Sequence, residues 1–122
     1  MSSQPVHHHN GPLIPMPELT WPALRRAVAT VAPGRLPEIF EDMQQAFVQA
    51  AQESSVGPIR MFHFKWGVIV AIERDPECAV RFHAAEKTFN TTADDGEQQA
   101  ALMEIADIWQ TAEREVKALV PG

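Results

Sequence analysis

The stretch from Pro58 to Pro76, PIRMFHFKWGVIVAIERDP, decides the fold of this chain, because it carries two periods at once. Every even position from Phe62 to Ile72 is apolar (Phe62, Phe64, Trp66, Val68, Val70, Ile72), the alternation of a half-buried strand. Ile59, Phe62, Trp66 and Ile69 are also spaced three, four and three apart, one stripe of a helix. A strand must pair its backbone groups with another strand, and no other segment here alternates or is rich in β-branched residues. A helix satisfies its own backbone. It would end where Asp75-Pro76 begins the next one, since the residue before a proline avoids the helical region. We therefore read a helix with two apolar stripes, one of Phe62, Trp66 and Ile69, the other of Phe64, Val68 and Ile72. A helix apolar on two faces is either central in its bundle or covered by another copy or a partner. The strand alternative is intermolecular, two copies pairing into a ribbon as in ribbon-helix-helix regulators. Gly67 costs about 1 kcal/mol in a helix relative to alanine, which predicts a close approach of a neighbouring helix there, though glycine would weaken a strand too.

Working outward, Thr20 ahead of Trp21-Pro22 is a helix start, a capping hydroxyl followed by a proline in the first turn. Trp21, Leu24, Val28 and Val31 form its stripe, and Pro33-Gly34 ends it. Pro37 opens a second helix with the stripe Leu36, Phe40, Met43, Phe47 and Ala50; Glu38, Glu41 and Asp42 fall in its first turns, where acids favour the dipole. Asp75-Pro76-Glu77 starts a fourth helix with the stripe Cys78, Phe82, Ala85 and Phe89. Thr92 and Asp95 have capping-box spacing ahead of a fifth, whose stripe is Leu102, Ile105, Trp109, Ala112, Val116 and Leu119. Residues 1–17 hold four of the ten prolines and no charged side chain, which predicts an extended or disordered arm. The expectation is an all-α fold: a disordered proline-rich arm over 1–17, then one helical domain over 18–120, a single bundle of about five helices.

The 122 residues suffice for one core, and 45 % hydrophobic with 21 % charged residues is the composition of a soluble globular protein. No apolar run approaches a membrane span, no basic segment precedes an apolar one at the N-terminus, and one cysteine leaves no disulfide framework, so the cytoplasm is expected. The net charge of −6 weighs against nucleic acid and anionic membrane as partners. The charge is uneven: Leu36 to Gly57 and Ala93 to Gln110 carry acids and no base.

RLPEIFEDMQQAFVQA followed by SVGPIRMFHFKW resembles an uncharacterised family of small actinobacterial helical proteins, a domain of unknown function. The matching positions are Leu36, Pro37, Phe40, Phe47, Pro58, Ile59, Phe62 and Trp66, within about Arg35 to Arg74. All are packing or turn residues. The resemblance implies a helical fold and small partner-binding proteins, including antitoxin-like partners of basic toxins, and it implies no catalytic residue.

Little in the sequence carries chemistry. His7-His8-His9 lacks the fixed geometry of a metal site, and neither His63 nor His83 has the acid three residues earlier that a di-iron bundle motif requires. Cys78 lies in a first helical turn with Arg81 three residues on, two features that lower a thiol pKa, yet it belongs to the apolar stripe and His83 lies about 140° away around the helix. No phosphate-cradling loop or nucleophile elbow occurs, and neither a cofactor nor a metal nor an enzymatic activity is expected. The expected function is a non-enzymatic interaction module, self-associating or bound to a basic protein partner, with an antitoxin-like role as its sharpest form. Its interface is expected on Glu38, Glu41, Asp42, Phe64, Val68, Ile72, Glu104 and Asp107. The alternative is a DNA-associated regulator using Arg25, Arg26, Arg35 and Lys65, and the lowest-ranked is a redox sensor or small enzyme centred on Cys78.

Overall fold

The computed structural model describes residues 11–120, and the His7–His9 run and most of the expected arm lie outside the described residues. The described chain is all-α: α1 (Trp21–Val31), a single 3-10 turn (Pro33–Arg35), α2 (Leu36–Glu53), α3 (Gly57–Glu73), α4 (Pro76–Thr91) and α5 (Asp95–Lys117). The stretch that opened the question is thus the third helix, and no strand occurs among the described residues. Two compact units divide the chain, one spanning Met16–Val70 and the other combining Ala71 onward with the described segment that ends at Pro15.

In the first unit α1 starts where the side chain of Thr20 accepts the Ala23 N–H, and the predicted stripe is correct, with Leu24 and Val28 fully buried. α2 ends at Ser54 in the left-handed conformation, and Ser55 Oγ then accepts the Gly57 N–H at the start of α3. The predicted stripe of α2 needs correction. Its buried residues are Ile39, Ala46 and Ala50, whereas Phe40 and Phe47 are 44 % and 49 % exposed. The buried and predicted stripes share Ala50, with Leu36 and Met43 half-buried, so α2 is turned by only part of the roughly 100° between adjacent positions, enough to bring Ile39 and Ala46 inside and leave Phe40 and Phe47 out. Two alanines on the inner face let neighbouring elements come close, which two phenylalanines would prevent. Phe40 packs at the edge instead, its ring T-shaped to Trp21 with centroids 5.2 Å apart, and Trp21 also meets Phe62 of α3 at 6.0 Å.

In the second unit Asp75 caps α4 by accepting the Glu77 and Cys78 N–H groups, as the Asp-Pro start predicts. α4 packs on α5, with Phe82 and Ala85 buried and the Phe82 and Trp109 rings 6.4 Å apart. Two details of α5 differ from expectation. Its cap is Asp94, which accepts the Glu97 N–H at 2.8 Å, while Thr92 Oγ1 donates to the Glu97 carboxylate at 2.7 Å. Ala112 and Val116 of the predicted stripe are buried and Ile105 and Trp109 half-buried, whereas Leu102 and Leu119 at its ends are exposed and Ala101 and Ile108 are buried beside it. Leu13 N–H donates to the Arg74 carbonyl at 2.7 Å, and the Arg74 guanidinium donates to Ile14 O at 3.0 Å and to Glu115. Residues 11–20 contain no helix.

α3 answers the question of its second stripe. Phe62, Trp66 and Ile69 are buried, and so are Val68 and Ile72, with Phe64 half-buried. The chain itself covers both faces.

Candidate interaction surface

The residues expected at an interface fall into three groups. Val68 and Ile72 are inside the protein and Phe64 is half-buried, so the apolar half of the expected interface is core packing; this corrects the expectation, and the physical reason is that both stripes of α3 are covered within the chain. Glu38, Asp42 and Glu104 are surface acids already engaged. Arg35 donates to both oxygens of Glu38 at 2.9 and 3.0 Å, and this neighbour holds the Glu38 carboxyl below the usual range. Arg81 reaches both oxygens of Glu104 at 3.1 Å. Glu41 and Asp107 are the two that stay exposed with no ion pair among the described residues.

Asp42 sits in a cluster that the sequence reading missed. Its Oδ2 accepts from the Lys65 ammonium at 2.7 Å and from the indole N–H of Trp66 at 3.0 Å. Trp66 is fully buried, with the Arg35 guanidinium 5.2 Å from its ring centroid and the Lys65 ammonium at 5.7 Å. A buried indole must place its N–H on an acceptor, and cations favour the faces of its ring. The available signal was an acid on the helix preceding a core tryptophan; the partner choice itself was invisible, because twenty-four residues separate the pair.

The same geometry weakens the nucleic-acid reading. Of its four cations, Arg35 and Lys65 are committed to Glu38, Asp42 and the Trp66 ring, which leaves Arg25 and Arg26 exposed on α1. With Pro58–Pro76 helical, the ribbon form of that reading has no strand to use among the described residues.

Cys78 is half-buried and its thiol is pushed up, first by burial and then by Asp75, whereas Arg81 pulls the other way. The first-turn and arginine effects expected from sequence are outweighed by burial and by the nearby Asp75 carboxylate, and Arg81 is itself paired with Glu104. His63 is half-buried and burial lowers its pKa. Among the described residues no three His, Cys, Asp or Glu side chains are arranged to hold a metal ion.

What remains is surface. The outer face of α2 exposes Phe40, Phe47 and Val48, with Glu41 beside them and no charged residue from Met43 to Gln52. A shallow groove of about 470 Å³ lies on another side of α2, against the start of α3, with Ala46, Pro58, Met61 and Phe62 in its walls. Its acids are occupied, Asp42 by Lys65 and Trp66 and Glu53 by the Gln49 amide at 2.7 Å. No helix among the described residues is long and apolar enough to cross a membrane. No family model, curated protein or solved structure matches this chain, so the resemblance over Arg35 to Arg74 draws no support from them.

Proposed function

We propose that this protein is a non-enzymatic, cytoplasmic interaction module that docks a protein partner on the outer face of α2. One observation carries the reading: Phe40, Phe47 and Val48 are exposed along one helix on which every charged residue is acidic. Large apolar side chains gathered on one exposed face are the usual mark of an interaction surface, and acids at the rim favour a partner with basic flanks. An antitoxin-like role, holding a basic protein through this face, is the sharpest form of the proposal. Glu41 supplies the exposed charge on that side, since Glu38 and Asp42 are occupied by Arg35 and Lys65.

The test is a pull-down from the native host with the wild-type chain and with the double substitution Phe47→Gln, Val48→Gln. These residues are half exposed, so the fold survives while the apolar face is lost. A stoichiometric protein recovered by the wild type and lost by the variant is the expected result. A wild-type chain that is monomeric by light scattering and returns no stoichiometric partner would sink the proposal. The DNA-associated alternative rests on Arg25 and Arg26 alone; binding to duplex DNA that falls steeply with salt would revive it.

A further inference from the structure

Both ring nitrogens of His83 face carboxylates. Nε2 lies 2.7 Å from Glu73 Oε2, at the end of α3, and Nδ1 lies 3.3 Å from Glu86 Oε1, one turn further along α4. A neutral imidazole has a single N–H, and its other nitrogen presents a lone pair. In this arrangement that lone pair would point at a carboxylate oxygen. The imidazolium alone donates to both acids at once.

The two acids are not equivalent. Glu86, like His83 itself, is about half exposed, but the Glu73 side chain is only 10 % exposed, and His83 is its only ion-pair partner among the described residues. A carboxylate out of water with no cation beside it is costly. We propose that His83 is a proton-operated clamp that ties α4 to the last residue of α3, closed when the ring carries two protons and loosened when it loses one.

The surroundings leave the clamp to this one group. Glu73 faces it from α3 and Glu86 from α4. On α5, Glu104 is taken by Arg81 and Glu115 by Arg74, and residues 11–15, which hydrogen-bond to Arg74, contain no ionisable side chain. The pKa of His83 is raised, chiefly by the hydrogen bond to Glu73 and against the effect of burial. For a group raised on folding, the stabilisation is fully present below the unfolded value, near 6.5, and is lost as pH rises through the folded one. The clamp therefore holds in mildly acidic solution and loosens toward mildly alkaline pH. Its consequence is local: the first turns of α4, which carry the Asp75 cap and Cys78, gain mobility as the proton leaves.

The experiment is an NMR titration of the His83 ring in the full chain, with thermal melts of the wild type, His83→Gln and Glu73→Gln at about pH 5.5 and about pH 8.5. His83 is expected to titrate above the free imidazole value, and Glu73→Gln to bring it down. Relative to His83→Gln, the wild type is expected to lose roughly 2–5 °C in Tm between the two pH values. The comparison cancels the titration of His63 and of His7–His9, which both proteins share. A His83 that titrates at or below the free value, or identical pH profiles for wild type and His83→Gln, would overturn the clamp. Should His83→Gln fail to fold, the wild-type titration and its displacement in Glu73→Gln decide the matter alone.

Discussion

In the unit that spans Met16–Val70, the Asp42 carboxylate accepts from the Trp66 indole and the Lys65 ammonium. In the other unit, the ring of His83 is the only ion-pair partner of the Glu73 carboxylate among the described residues. Both acids are largely withdrawn from water, at 24 % and 10 % exposed, and both join α3 to a helix beside it. The difference is in the donors. Indole N–H groups and lysine ammoniums keep their protons across the whole neutral range, while an imidazole exchanges one within it. One kind of contact is therefore permanent in the first unit and conditional on pH in the second.

The largest expected effect tests the permanent side. Trp66→Ala removes a fully buried indole, strips Asp42 of one donor and leaves the Arg35 and Lys65 cations without the ring beneath them. A loss of about 3–5 kcal/mol in urea unfolding is expected. A loss below about 1 kcal/mol would mean that the ring is not a core residue.

Asp42→Ala sharpens the same point, because it leaves the buried indole N–H without its acceptor. The expected loss is about 1–3 kcal/mol. Asp42→Asn keeps an oxygen for the indole but not the charge for Lys65, and should recover most of the loss. Both variants should lose the same stability at about pH 5.5 and about pH 8.5. A pH-dependent loss would erase the contrast with Glu73.

Asp94→Ala removes the cap of α5 in the other unit, where its carboxylate accepts the Glu97 N–H. About 1 kcal/mol is expected in thermal unfolding. The smallest effect is chemical. Burial pushes the Cys78 thiol up, so its rate of modification by a disulfide reagent at neutral pH should fall below that of a free cysteine and rise as the pH is raised. Loosening of the clamp by alkali would add to that rise, and His83→Gln should lessen it.

Much of this was legible before the fold was seen. Thr20-Trp21-Pro22, Asp75-Pro76 and Pro37 announce helix starts because capping oxygens and first-turn prolines act over three or four residues. The helical reading of Pro58–Pro76 followed from the lack of a second strand to pair with, an argument about backbone hydrogen bonds that needs no coordinates. The faces were less legible. Phe40, Phe47 and Leu102 lie on stripes as regular as those of Ile39, Ala46 and Ala101, so periodicity could not choose between them. Size suggested the larger residues, yet Ala46 and Ala101 are buried where Phe47 and Leu102 are not.

The candidate site was less legible still. Glu38, Asp42 and Glu104 were recognised as surface acids, yet their arginine, lysine and indole partners make them part of the fold's own charge balance. The Val68 and Ile72 stripe was correctly read as apolar but lies inside the chain. The outer face of α2 emerged because Phe40 and Phe47 are exposed there while Ile39, Ala46 and Ala50 face inward.

The sequence by itself determined that five helices form, where most of them start, and that α3 is apolar on two faces, because capping, proline geometry and periodicity are local properties of a few consecutive residues. Only the tertiary structure decided which stripe of α2 and α5 turned inward, that Asp42 would hold the Trp66 indole, and that His83 would stand between two carboxylates. Those outcomes depend on how closely elements distant in sequence approach one another, and no local spacing encodes that distance.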